Sequence, residues 1–130
     1  MAFIRYELPL IIWILAMLTL TSIPGRHLPP VGDWGIDKLV HFFEYGLLSL
    51  LLFRYLRFRR KLKRSVTFLV GALFCLLLAA ADELHQVPIP GRSGSWRDLV
   101  ADLLGIGSGL AIVWFAGKEN REVDRDPDRA

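Results

Sequence analysis

The sequence has little cysteine and, over one long stretch, no polar side chains. Cys75 is the single cysteine, so an intramolecular disulfide is excluded. Residues 68–81 contain no polar side chain apart from the thiol of Cys75, although a helix on the surface of a soluble protein carries polar residues every few positions. Internal repeats and low-complexity tracts are also missing. These absences disfavour a soluble helical bundle, a disulfide-linked domain and a repeat protein.

Four apolar runs divide the chain, each about 15 to 20 residues long and so close to the ~20 residues that a helix needs to cross hydrocarbon. They cover residues 9–23, 39–53, 65–81 and 99–117. Hydrophobic residues make up 53% of the chain, in agreement with a membrane protein. We therefore predict an all-α protein, a four-helix transmembrane bundle that forms one domain over residues 1–117. The charged segment 118–130 is predicted to be a flexible tail.

Basic residues are concentrated between the second and third runs, where seven of the sixteen Lys and Arg residues lie within residues 54–64. Short loops rich in Lys and Arg stay on the cytoplasmic side of a membrane. We therefore predict a multi-pass membrane protein, with both termini cytoplasmic and loops 24–38 and 82–98 facing outward. Because the basic cluster is held against the bilayer, it favours membrane lipids as partners and disfavours nucleic acid.

Ionisable residues gather at the predicted outer end of the second helix. Asp37, His41 and Tyr45 are spaced i, i+4, i+8 and fall on one stripe of that helix, with Glu44 beside His41. Lys38 adds a positive charge next to Asp37. Ionisable groups are costly in lipid, so this stripe is expected to face protein or a wet cavity.

Further polar residues belong to the same end of the predicted bundle. They are Asp82, Glu83 and Gln86 at the end of the third helix, Arg92 in the following loop, and Asp98 and Asp102 at the start of the fourth helix. A Pro-Gly turn presents Arg92 outside the membrane. Because helix N-termini attract negative charge, we expect them to hold a phosphate or carboxylate group together with Arg92 and Lys38.

The same residues also admit structural interpretations. The acids Asp37 and Asp98 stand at helix starts, where they would cap the helix and interact favourably with its dipole. The two adjacent acids of the third helix would pin the loops if they formed ion pairs with Arg92 and Lys38. The sequence does not decide between these interpretations and a shared site.

A GxxxG spacing, formed by Gly105 and Gly109, lies on the fourth helix. Small residues at this spacing let two helices approach closely. The pattern is explained equally by packing within the monomer and by a homo-oligomer formed through these two glycines.

Two separated motifs in this order resemble the signature of the VanZ-like family of small bacterial membrane proteins. They are Asp37-Lys38-x-x-His41-Phe42-x-x-Tyr45 and Asp82-Glu83-x-x-Gln86-x-x-x-Pro90-Gly91-Arg92, followed by Asp98 and Gly105. The resemblance extends over about residues 20 to 115. The family is named for a protein associated with resistance to the glycopeptide teicoplanin, which implies a role at the outer leaflet or the cell wall. Asp102 departs from the pattern, because many relatives are expected to have Asn there.

One function hypothesis is an enzyme that acts on a lipid-linked or cell-wall substrate. In it, Asp37 orients His41 as general base or acid, and one of Asp82 and Glu83 carries the second proton. Lys38 and Arg92 hold an anionic headgroup. The predicted catalytic residues are Asp37, His41, Asp82 and Glu83, and the predicted ligand contacts are Lys38, Tyr45, Gln86, Arg92, Asp98 and Asp102.

The second hypothesis involves no chemistry. The same polar residues would bind a lipid headgroup, a cell-wall precursor or a lipophilic antibiotic, and the protein would act as a binding protein or scaffold. A small transporter is less favoured, because four spans without matching breaks leave little room for alternating access. His41, His85 and the carboxylates are potential metal ligands, but the sequence has no short ligand motif of recognised spacing, so we expect neither a metal nor a cofactor.

Overall fold

The structure is a computed structural model that describes residues 1–27 and 36–123, with side chains described as far as residue 116. Within these residues it contains helices and no strand. The helices are α1 (Leu8–Thr21), α2 (Ile36–Arg54), α3 (Arg64–Gln86) and α4 (Trp96–Val123), with π-helical turns at Phe3–Glu7 and Tyr55–Arg59 and a short 3₁₀ helix at Gly25–His27. Four helical segments of 19, 24, 23 and 21 residues are long and apolar enough to cross a membrane. The prediction of an all-α four-helix bundle is confirmed.

Two helices run further than the apolar runs predicted. The helical path of α2 continues through Tyr55–Arg59, so residues 60–63 alone separate it from α3. Tyr55–Arg59 contains neither Gly nor Pro, and Arg and Leu are good helix formers. No helix-breaking residue therefore ends the helix before Arg59. Helix α4 likewise continues to Val123, so the first part of the predicted tail is helical. Residues 124–130 of that tail lie outside the described residues.

Helix α2 lies at the centre of the bundle and packs against the other three helices, most extensively against α4. Glycines allow that close approach. A Cβ added to Gly105 would collide with the backbone oxygen of Phe42, and one added to Gly109 would collide with Ser49 Oγ. Both glycines of the GxxxG pair therefore serve packing within the monomer, which is one of the two explanations that the sequence left open.

The distribution of apolar side chains suits a surface that faces lipid. The buried core is small and includes Leu48, Cys75 and Ile106. Large apolar side chains point outward instead, with Leu69 70% and Leu104 61% exposed. A soluble protein of this size rarely exposes so much continuous apolar surface.

The two ends of the bundle differ in charge. At one end, which we call the basic end, Arg59 Nε donates to Glu7 Oε1 at 2.9 Å, and the Arg64 guanidinium lies 4.1 Å from the centre of the Trp114 ring. At the opposite end, the polar end, α1 and α3 finish and α2 and α4 begin. There the Gly25 N–H donates to Pro90 O at 3.0 Å and joins the two connections of that end.

Candidate functional site

The most deeply buried polar contact at the polar end joins α2 to α4. His41 Nδ1 lies 3.0 Å from Asp102 Oδ1, where a carboxylate accepts and the imidazole N–H donates. His41 is 3% exposed and Asp102 is 0% exposed. The prediction that Asp37 orients His41 is therefore wrong, since the carboxylate bonded to the ring comes from the facing helix.

A second contact between the same helices involves Lys38. Its Nζ lies 3.0 Å from Asp98 Oδ1 and 3.5 Å from Asp37 Oδ2. Ser95, rather than Asp98, caps α4, because Ser95 Oγ accepts a hydrogen bond from the Arg97 N–H at 3.3 Å. Lys38 and Asp98, both predicted ligand contacts, are thus engaged in an ion pair with each other.

Arg92 is connected to α3 through a short chain of hydrogen bonds. Its Nη2 donates to Gln86 Oε1 at 2.9 Å, and Gln86 Nε2 donates to Asp82 Oδ2 at 3.3 Å. Gln86 and Asp82 are buried, whereas Arg92 is half-buried. The structure brings these three predicted site residues into one chain of contacts, in which the amide of Gln86 lies between the charged groups of Arg92 and Asp82.

Glu83 fastens the end of α3 to the beginning of α4. Its Oε2 accepts a hydrogen bond from the Ser95 N–H at 2.6 Å. Its Oε1 has no hydrogen-bond partner among the described residues. Neither Glu83 nor its neighbour Asp82 forms an ion pair with Arg92 or Lys38 in the structure, which therefore does not show the ion-pair interpretation that the sequence left open.

A cavity of about 180 Å³ lies among α1, α2 and α3 at this end. Its lining consists of the apolar residues Leu20, Ile36 and Val40 and the polar residues Thr21, Asp37, His41, Glu44, Asp82, Gln86 and Arg92. Five of the ten predicted site residues therefore reach one cavity. The others, Lys38, Tyr45, Glu83, Asp98 and Asp102, do not line it.

Tyr45 departs most from its predicted role as a ligand contact. It is fully buried and belongs to the apolar core, and its hydroxyl has no hydrogen-bond partner among the described residues. The structure therefore places it beneath the polar end rather than within the cavity.

Two polar residues that line the cavity, Glu44 and Thr21, were not among the predicted site residues. Glu44 is buried, and its Oε1 has no partner within the described residues, while its backbone oxygen accepts from Trp13 Nε1 at 3.0 Å. An acid in an apolar run, three residues after His41, was the signal that could have identified it. Thr21 ends α1 and gave no comparable signal.

The ten residues Asp37, Lys38, His41, Glu44, Asp82, Glu83, Gln86, Arg92, Asp98 and Asp102 are called the polar cluster below. Two sets of three within it place their ligand-type atoms within 4.8 Å of one another, and His41 belongs to both. One set adds Asp37 and Asp98, and the other adds Glu83 and Asp102. The cluster thus combines a base held by a buried carboxylate, a guanidinium beside a cavity and potential metal ligands.

Four membrane-length helices that enclose a partly buried polar cluster define a small helical membrane protein. Residues 4–117 match the VanZ/LLP1 family, and the chain belongs to this family. In the same comparisons no curated protein and no solved structure matches the chain. The resemblance found in the two sequence motifs is confirmed, and the chain is a multi-pass membrane protein.

Proposed function

We propose that the polar end binds a membrane-embedded amphiphile with an anionic headgroup, and that Arg92 contacts that headgroup. The observation that carries the proposal is the position of Arg92 on the wall of a cavity whose other walls include Leu20 and Val40. A guanidinium has five N–H donors, and the hydrogen bond of Arg92 to Gln86 uses one of them. The cavity, at about 180 Å³, suits a headgroup fragment, with the apolar part of the ligand left in the bilayer.

This ligand is proposed to be lipid-linked or part of the cell wall, which places the polar end on the outer side of the bacterial cytoplasmic membrane. The orientation is supported by the seven Lys and Arg residues of positions 54–64 at the other end of the bundle. Altered access of a glycopeptide such as teicoplanin to its target would be one consequence of binding there.

Labelling of introduced cysteines tests the orientation. In a Cys75→Ala background, a membrane-impermeant maleimide is expected to label Ser93→Cys in intact spheroplasts and to label Lys61→Cys only after permeabilisation. Both positions are exposed, and Cys75 is buried, so accessibility of the two new thiols is set by the side of the membrane. Labelling of Lys61→Cys without permeabilisation would reverse the proposed orientation.

Replacement of Arg92 tests ligand binding. Arg92→Gln is expected to weaken binding of a polyprenyl phosphate or phosphatidylglycerol by about tenfold to 100-fold, because a hydrogen bond to a charged group contributes about 1.5 to 3 kcal/mol. Native mass spectrometry of the purified protein with each lipid measures the change, with diacylglycerol as the uncharged comparison.

The matched control is Arg26→Gln, an exposed arginine at the same end that does not line the cavity. It is expected to bind both anionic lipids as the unaltered protein does. Equal binding by the two arginine variants, or equal binding of diacylglycerol, would contradict the proposal.

Acid–base catalysis is a second candidate, favoured by the contact between His41 and Asp102. Because Nδ1 of His41 is hydrogen-bonded to Asp102, Nε2 is the ring nitrogen of His41 that remains available to a ligand in the cavity. A base oriented in this way by a carboxylate is a recurrent catalytic arrangement. If His41 is catalytic, His41→Gln will abolish turnover of the ligand and leave its binding intact, whereas a binding protein shows no turnover before the substitution.

A further inference from the structure

We infer that His41, Glu83 and Asp102 form a binding site for one divalent transition-metal ion, of which Zn²⁺ and Mn²⁺ are the candidates. Each residue offers one ligand atom, and the three atoms lie within 4.8 Å of one another. The inference goes beyond the proposed lipid site and does not depend on it, since Arg92 takes no part in the metal site.

Charge balance supports a bound cation. The polar cluster contains two permanently charged bases and six carboxyl groups, namely Asp37, Glu44, Asp82, Glu83, Asp98 and Asp102. Lys38 lies within ion-pair distance of both Asp37 and Asp98, and its single charge offsets one of their two negative charges. In the described part of the chain, no Lys or Arg lies within 4.0 Å of a carboxylate oxygen of Glu83 or Asp102. Asp102 has the His41 imidazole beside it, which is charged only when it is protonated. A divalent ion bound to the neutral imidazole would supply positive charge to both carboxyl groups.

Unpaired oxygens are a second and independent observation. Asp102 is 0% exposed, and its Oδ2 has no hydrogen-bond partner among the described residues. Oε1 of the half-buried Glu83 also has no hydrogen-bond partner among the described residues. A buried polar atom without a partner costs about 1 to 3 kcal/mol, and more if it is charged. Coordination of a metal would satisfy both oxygens at once.

The geometry of the pair is compatible with coordination. Two ligands that are each about 2.1 Å from a metal lie about 3.0 to 3.4 Å apart when the angle between them is about 90° to 110°. His41 Nδ1 and Asp102 Oδ1 are 3.0 Å apart, so both atoms could bind one ion if the ion displaces the Nδ1 proton that otherwise forms the hydrogen bond between them. The nitrogen donor favours Zn²⁺ over Ca²⁺ and Mg²⁺, which prefer sites made of oxygen alone, and the two carboxylates also suit Mn²⁺.

The other candidate set, Asp37, His41 and Asp98, is less suitable. Lys38 Nζ already lies 3.0 Å from Asp98 and 3.5 Å from Asp37, where a metal would need to be. An ammonium group and a divalent ion at that distance would repel each other strongly. This contact assigns the ion to the set that includes Glu83 and Asp102.

Metal analysis of the full-length protein in detergent tests the site. After treatment with a chelator and dialysis against Zn²⁺ or Mn²⁺, the unaltered protein is expected to retain about one ion per chain, and Glu83→Gln to bind at least about tenfold more weakly. Inductively coupled plasma mass spectrometry measures the metal content.

The matched control is His85→Gln, which removes an exposed potential ligand from the same end of α3 and should leave the metal content unchanged. Absence of a stoichiometric ion in the unaltered protein, or equal affinity in Glu83→Gln, would overturn the inference. If Glu83→Gln does not fold, X-ray absorption of the Co²⁺-loaded unaltered protein decides. A spectrum that shows Co²⁺ bound to one imidazole nitrogen and to oxygen ligands would support the site. A spectrum that shows oxygen ligands alone would contradict it.

Failure of the metal site and failure of the lipid site are distinguishable. Arg92→Gln should weaken lipid binding and leave the metal content at the level of the unaltered protein. A protein that binds the anionic lipids through Arg92 but no metal would retain the proposed function and lose this inference alone.

Discussion

Gly105→Ala is expected to destabilise the bundle by about 3 kcal/mol or more, a large fraction of the stability of a small domain. The added Cβ would collide with the backbone oxygen of Phe42 and lie 3.0 Å from the backbone nitrogen of Gly46. Backbone atoms inside a helix cannot rotate away as a side chain can, so α2 and α4 must separate. Thermal unfolding of the purified variant in detergent measures the loss.

Gly107→Ala is the matched control on the same helix. A Cβ at Gly107 meets nothing within 4 Å, and alanine is a better helix former than glycine by about 1 kcal/mol in a helix interior. This variant is expected to be as stable as the unaltered protein or slightly more stable. A similar loss in both variants would show that helix propensity, rather than contact between α2 and α4, determines the effect.

The number of helices and the identity of their lipid-facing segments were predictable from the sequence because they depend on local composition. Residues 68–81, for example, have apolar side chains whichever fold the chain adopts, so the sequence alone identifies them as a lipid-facing segment. The exact ends were less predictable. Apolar runs indicate where lipid is, whereas a helix continues for as long as its backbone is unobstructed, as it does through Tyr55–Arg59.

The partners of the site residues were harder to predict. Spacing identifies neighbours on one helix, and it therefore suggested Asp37 as the partner of His41. The partner in the structure is Asp102, on the facing helix. Which residue of α4 lies opposite His41 depends on the distance between α2 and α4 and on their relative shift along the helix axes. The contact of Gly105 with Phe42 helps to fix both, and no local pattern in the sequence predicts the shift.

The position of Tyr45 has a geometric explanation. At 3.6 residues per turn, a residue eight positions along a helix is rotated by about 80° and displaced by about 12 Å. Asp37 lines the cavity, so a residue that far along α2 lies deeper and faces a different neighbour. The core residues Leu48 and Ala79 belong to the cluster that surrounds Tyr45.

His41→Leu is expected to lower the free energy of unfolding by about 3 to 5 kcal/mol, because it leaves the carboxylate of Asp102 buried without its partner. Asp102→Leu leaves an imidazole, which can remain neutral, and should cost about 1 to 3 kcal/mol. Both variants remove one side of the same 3.0 Å contact, so the difference between them reports the cost of an isolated buried charge. Equilibrium unfolding in detergent with a chelator present measures each value.

The double variant His41→Leu/Asp102→Leu separates this explanation from a general sensitivity of the interface. When both polar partners are replaced by apolar side chains, no buried charge is left, and the double variant should be more stable than His41→Leu alone. His85→Leu, an exposed histidine replaced in the same way, should change stability by at most about 0.5 kcal/mol. Strictly additive losses in the double variant would contradict a direct interaction between the two side chains. If the chelator is then replaced by Zn²⁺, a gain in stability confined to proteins that keep both residues would link this contact to the metal site, because a ligand stabilises the folded state that binds it.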